Sequence, residues 1–258
     1  MKARLASLGL LAAVVLTWSP DADAAGEANG LGQRHQLIIS ADRLVPIFSY
    51  TSVSEDRSNN AAEITRTTSG SSISLLWGSN FFSEQNIHSI PRVAADVTVI
   101  ERLTIGGAVA VAFGVSSTQS TETQPRGGGP TNTTEFDAPR ATVFGLVPRV
   151  GYIIPVGDIL AIWPRGGMGI YSFSRHFEVI NNGQRFSSST NDFLLSLDLD
   201  PQLAVVPLEH FFFSVGPLVN IPLTGSRTTQ DTDNSRTSRD LSVFQLGITA
   251  SLGGFFNL

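Results

Sequence analysis

Apolar and polar residues alternate with period two along several long stretches of this chain. In residues 92–99, Val93, Ala95, Val97 and Val99 share one side, while Arg92, Ala94, Asp96 and Thr98 share the other. After a tight turn at Glu101-Arg102 the pattern resumes through residue 116. There Leu103, Ile105, Val109, Val111, Phe113 and Val115 face one way, and mostly Gly, Ala, Ser and Thr face the other. Side chains of an extended chain point alternately to opposite faces, so each stretch predicts a strand with one apolar face and one small or polar face. The unit recurs. Residues 141–155 turn at Gly157-Asp158 into 159–173, and residues 193–206 turn at Glu209-His210 into 211–223. Residues 36–51 predict an opening strand whose alternation falters at Asp42-Arg43 and at Pro46, where a bulge is expected. Residues 243–252 predict a closing strand.

Polar segments (51–91, 118–139, 175–191 and 225–239) separate these hairpins and predict long loops. Counted from residue 36, the pattern gives eight antiparallel strands, joined by three tight turns at one end and four long loops at the other. Residues 72–77 read as a short strand of undecided place, which would raise the count to ten if it belonged to a further hairpin. Short turns on one side and long loops on the other characterise transmembrane β-barrels of the outer-membrane type. A soluble barrel would turn its larger apolar residues inward and charge outward, and no strand here carries regular Lys or Glu toward water. The expected fold is an all-β, up-and-down transmembrane β-barrel over residues 36–258.

Composition and the N-terminus sharpen the picture further. Only 15% of the 258 residues are charged, against about 25% in soluble domains. The chain has no Cys, which excludes disulfides, thiolate metal sites and a lipid anchor on Cys. The net charge of −5 is unclustered and argues against a nucleic-acid partner. Lys2 and Arg4, the apolar run 8–18 and Ala22-Asp23-Ala24 form an export signal, so residues 1–24 are expected to be removed, with 25–35 a short linker.

The closing strand resembles the C-terminal assembly signal of bacterial outer-membrane barrels, on Gln245, Gly247, Ala250 and Leu252 with Phe255 and Phe256 beyond. The whole pattern resembles the small outer-membrane barrel superfamily that includes the OmpA-type domain, here without a periplasmic domain. That resemblance implies location in the outer membrane, contact with its lipid and lipopolysaccharide, insertion by the barrel-assembly machinery and no cofactor.

Charge lies where a narrow lumen is expected. Asp42, Arg92, Asp96, Arg149, Arg165, Asp198 and Asp200 all fall in the inward phase. Buried charges persist when paired, so a cross-lumen salt-bridge network is expected, either plugging the barrel or gating a narrow pore. Ser174, His176 and Glu178 fall together on the outward phase and could supply a nucleophile, base and orienter. A lipid A deacylase family uses such groups, but its motif runs His-x-Ser, the reverse of the order here. The His residues show no metal-ligand spacing, and no metal site is expected. The expected role is structural or interactive, with a passive pore as the alternative, and without enzymatic activity. Trp163 and Phe211-Phe212-Phe213 are candidates for an aromatic girdle. Pro148, Pro164, Pro201, Pro217 and Pro222 fall inside expected strands, each removing a ladder donor.

Overall fold

A computed structural model describes residues 28–58, 63–73, 87–88, 90–113, 118–123, 132–137, 140–181, 184–232 and 235–258. Its main elements are β1 (Gln36–Ser58), β2 (Glu63–Ile73), β3 (Arg92–Ile100), β4 (Leu103–Phe113), β5 (Thr118–Thr123), β6 (Asn132–Asp137) and β7 (Arg140–Tyr152). They continue with β8 (Ile154–Pro155), β9 (Leu160–Trp163), β10 (Arg165–Asn181), β11 (Gln184–Leu199), β12 (Gln202–Leu208), β13 (Phe211–Asp231) and β14 (Arg236–Asn257). Antiparallel pairing runs β1-β3-β4-β7-β10-β11-β13-β14 and returns from β14 to β1, closing a ring of eight strands. Closure leaves no free edge in the ring, which is what lets a sheet cross a bilayer.

Burial follows the alternation. β7 reads exposed-buried over its full length, with Phe144, Leu146, Val150 and Tyr152 outward and Val143, Val147 and Arg149 inward. Outward residues of the other walls, such as Val93, Ile105, Ile170, Leu203 and Ile248, extend the same apolar belt. An apolar exterior is stable only in lipid, and the fold is that of an outer-membrane β-barrel.

The tight turns fall where the alternation places them. Arg102 and His210, the second residues of two of them, adopt left-handed backbone at φ 69°. The bulge expected in β1 is present: register shifts between Ala41 and Val45 and again between Pro46 and Phe48. Three of the five prolines sit at irregularities. Pro164 separates β9 from β10 and Pro201 separates β11 from β12, while Pro222 adjoins a register shift between β11 and β13. Pro148 and Pro217 remain within β7 and β13.

Three expectations need correction. First, the supposed loops 175–191 and 225–239 are largely strand, because β10, β11, β13 and β14 run on beyond the apolar belt. Ladder hydrogen bonds do not require an apolar face, and Thr and Ser fit a pleated surface wetted on both sides. Second, the expected count of eight holds and the alternative of ten falls. β14 occupies one edge of β1 along its length, so β2, on Phe48–Ser58, and β3, on Leu37–Asp42, share the other edge as one interrupted wall. Ser72 and Ile73 end β2, and residues 74–77 lie outside the described residues. Third, residues 28–35 do more than link: Ala28 and Leu31 are buried inside the turn end of the barrel. Residues 1–24 lie outside the described residues.

Candidate functional site

The lumen is layered, and the walls of β1, β14, β11 and β7 show the layers in one order, while on β3 the upper-layer Ala94 sits between Asp96 and Arg92. From the turn end, β1 presents Ile38, then Asp42 and Arg43, then Val53; β14 presents Phe255, then Ser251, Thr249 and Gln245, then Val243. β12 and β11 present Ala204, then Gln202, Asp200, Asp198 and Ser196, then Leu194. β7 presents Arg149, then Val147 and Val143, with Ile153 just past its turn-side end. The lower apolar layer is built from Leu31, Trp163, Phe212 and Phe255 with smaller neighbours. The upper one is built from Val53, Phe173, Leu194, Leu241 and Val243.

Ile87 and Ile90 belong to the upper layer too, although they come from the segment between β2 and β3. Ile87, His88 and Ile90 thus lie inside the barrel. His88 beside them is buried, edge-on to the Tyr171 ring at 4.8 Å. Its carbonyl accepts from Arg43 and from Arg92. The chain thus inserts its own plug and anchors it by two guanidiniums.

Glycine on one wall makes room for an aromatic from the next. Tyr171 is the register partner of Gly145, where a Cβ would stand 2.8 Å from the ring. Phe212 is likewise paired with Gly253, where a Cβ would meet the ring at 2.6 Å. Trp163, expected in a girdle, is wholly buried in the lumen with Phe212, whereas Phe213 does face outward. The exchange of glycine for ring volume is how a lumen of this width fills.

All seven charged residues singled out in the sequence meet between the two apolar layers. Arg149 bridges Asp42 and Asp96, donating from Nε to Asp96 Oδ1 at 3.0 Å. Arg165 lies 3.3 Å from both oxygens of Asp42 and donates to Asp200 at 2.7 Å. Arg92 donates to Asp198 at 3.1 Å, and Tyr171 and Ser196 each donate to the same carboxylate at 2.6 Å. Ser40 donates to Asp42, and Gln202 donates to Asp200. Guanidinium planes also lie over the Trp163 ring, Arg165 at 4.7 Å and Arg149 at 6.0 Å.

An eighth member was missed. Strict alternation sends Arg43 outward, but the bulge turns both Asp42 and Arg43 inward, with Arg43 at φ 56°. Its side chain lies 3.7 Å from Asp198. With it the layer holds four carboxylates and four guanidiniums, all between 1% and 8% exposed. The layer is therefore electrically neutral, as burial at this depth requires. The signal was available: the seven expected members carried an excess of one negative charge, beside an Arg at an expected bulge.

A second cluster sits nearer the loop end. Arg227 donates to its register partner Asp192 through two parallel bonds of 2.8 and 2.7 Å, and it also pairs with Glu55. Arg239 reaches Glu55 at 3.3 Å.

Ser174, His176 and Glu178 share the outer face, beyond the apolar belt, as alternation placed them. The Ser and His are engaged across the strand pair: Ser174 donates to Asn191 at 2.6 Å, and His176 Nδ1 lies 2.9 Å from Ser189 Oγ. Of the closing-strand residues, Gln245 and Gly247 face the lumen while Ala250 and Leu252 face outward.

No family model matches the chain, and no curated protein matches it. Solved structures do. One is the outer membrane protease OmpT from Escherichia coli, with 7% identity, a TM-score of 0.45, 86% of this chain covered and 97% of that one. At that similarity nothing about activity passes to this chain. The expectation of no enzymatic activity is corrected by this finding, since that neighbour is named as a protease.

Proposed function

We propose that the protein resides in the outer membrane of a diderm bacterium as a barrel closed to ion flow, presenting its extended polar strands outside the cell. Its kinship with OmpA-type domains belongs to this reading. So does recognition of Gln245, Gly247, Ala250 and Leu252 by the barrel-assembly machinery, and contact of the apolar belt with lipid and lipopolysaccharide. The observation that carries it is the layered lumen. A neutral ion-pair layer lies between two apolar layers, one of them completed by the inserted Ile87-His88 segment. Such layers hold their partners too tightly for ions to pass.

The β2-β1-β14-β13-β11-β10 side rises beyond the apolar belt while β3 ends at Arg92 and β4 at Phe113. That tall polar side is the surface offered to other molecules. The test is single-channel recording of residues 25–258 refolded into a planar bilayer. Silence from protein that keeps the gel mobility of a folded barrel is the expected result. Frequent, uniform current steps would overturn the closed reading and replace it with a narrow passive pore.

A further inference from the structure

Four neutral side chains of the middle layer, and one edge of the Arg43 guanidinium, have polar atoms left without hydrogen-bond partners. Arg43 Nε and Nη2, Asn220 Nδ2, Thr249 Oγ1, Ser214 Oγ and Gln202 Oε1 are buried, and none has a hydrogen-bond partner among the described residues. They are not scattered. Ser214 pairs in register with Ser251 and Gly216 with Thr249, while Asn220 pairs with Gln245. Gln202 lies beside Gly216, and the bulge places Arg43 against β14, its backbone N–H donating to Ser251. From there Arg43 Nη1 reaches to 3.4 Å from Asn220 Oδ1. All six atoms therefore face one sector of the lumen, on β12, β13, β14 and the bulge of β1.

Buried polar groups are almost always satisfied, and an orphan costs about 1–3 kcal/mol. Six orphans in one place, beside small side chains, call for a ligand that both donates and accepts. Water is that ligand, since a buried water needs 2–4 polar neighbours and they are present here. Phe212, Phe255, Trp163 and Leu31 lie below this sector; Val243, Leu241, Leu194, Phe173 and Ile87 lie above it.

We propose that the barrel encloses a hydrated chamber, a site for water and small hydrogen-bonding solutes, shut by two independent apolar seals. The inference rests on the closed reading of the lumen and adds a chamber with two doors. Opening either seal admits solutes to the chamber from one side only. Current flows when both are open.

The chain has no Cys, so a single reporter thiol can be read without background. Thr249→Cys and, separately, Ser214→Cys place that thiol in the chamber. Each is combined with a lower-seal change (Phe212→Ala with Phe255→Ala), an upper-seal change (Ile87→Ala with Phe173→Ala), or both. Each barrel is refolded in lipid, checked for folded gel mobility, exposed to a small water-soluble methanethiosulfonate and recorded in a bilayer.

With both seals intact, labelling is expected to be at least tenfold slower than with either seal opened, and single-seal barrels stay silent. The double-seal barrel is expected to conduct. Three results would overturn the proposal. One is fast labelling with both seals intact. Another is a thiol still protected in a folded single-seal barrel. The last is a folded double-seal barrel that passes no current, which would make the ion layer itself the barrier. Conduction by the unaltered protein would instead sink the closed reading on which the proposal stands. Agreement of the two reporter positions guards against a local defect at either one.

Discussion

Among the described residues the barrel holds two clusters of ion pairs, and the contrast between them lies in what surrounds them. The middle cluster of Asp42, Arg43, Arg92, Asp96, Arg149, Arg165, Asp198 and Asp200 is enclosed by apolar layers on both sides. The cluster of Glu55, Asp192, Arg227 and Arg239 grades into water, with the Arg239 side chain 33% exposed and that of Glu55 16%. The same residue types therefore do different work. In the middle, a charge without its partner has nowhere to go, so pairing is compulsory and the cluster fixes how the walls meet. At the mouth, Asp192 and Arg227 are themselves buried and stay paired, but for the more exposed Arg239 water can replace a lost partner and salt can screen it, so its pairing is optional.

The largest effect should come from Arg149, which pairs with both Asp42 and Asp96 from the wall of β7. Arg149→Met keeps much of the length but leaves two buried carboxylates short of a partner. Destabilisation by about 3–5 kcal/mol is expected, by the usual cost of breaking a buried pair. Urea unfolding in lipid vesicles measures it. Adding Asp96→Asn to that variant should restore part of the loss, because an amide carries no charge to compensate. A double variant as unstable as the single one would show that packing, and not charge, is what Arg149 contributes.

A smaller loss is expected at Gly145. A Val there would occupy the space of the Tyr171 ring and drive off the hydroxyl that donates to Asp198 at 2.6 Å. Overpacking of this kind costs about 1–3 kcal/mol. Combining Gly145→Val with Tyr171→Ala should recover stability, since the crowding is removed with the ring. If the pair is simply additive, the ring and the glycine are not packed as described.

Much of the middle cluster could be read from the chain because alternation alone assigns a face. Asp96, Arg149 and Asp198 need only the count of residues from an apolar neighbour. Arg43 escaped because a bulge breaks that count by one, so a residue's parity no longer fixes its side. Trp163 escaped for another reason. A large aromatic suits either lipid or a glycine-lined lumen, and only the register, which sets Gly151 beside it, decides between them. His88 lies in a segment with no period at all, and nothing local marks it as entering the barrel. The upper reaches of β10, β11, β13 and β14 read as loops because the apolar signal that betrays a strand in lipid vanishes where both faces are wet. The mouth cluster was hidden with them: Asp192 and Arg227 are register partners on strands the polarity pattern does not reveal.

Arg239 offers the smallest effect and the sharpest contrast. It meets only one oxygen of Glu55 at 3.3 Å, and Arg227 already pairs with the same carboxylate. Arg239→Ala therefore leaves no orphaned charge, and the expected change is at most about 1 kcal/mol. What distinguishes the clusters is the response to salt. At about 1 M the screening length falls to about 3 Å, so the stability difference between Arg239→Ala and the unaltered chain should vanish as salt is raised. The deficit of Arg149→Met should persist, because ions do not reach the middle layer. A deficit that also faded for Arg149→Met would mean that electrolyte enters between the seals, and the enclosure separating the two clusters would have to be abandoned.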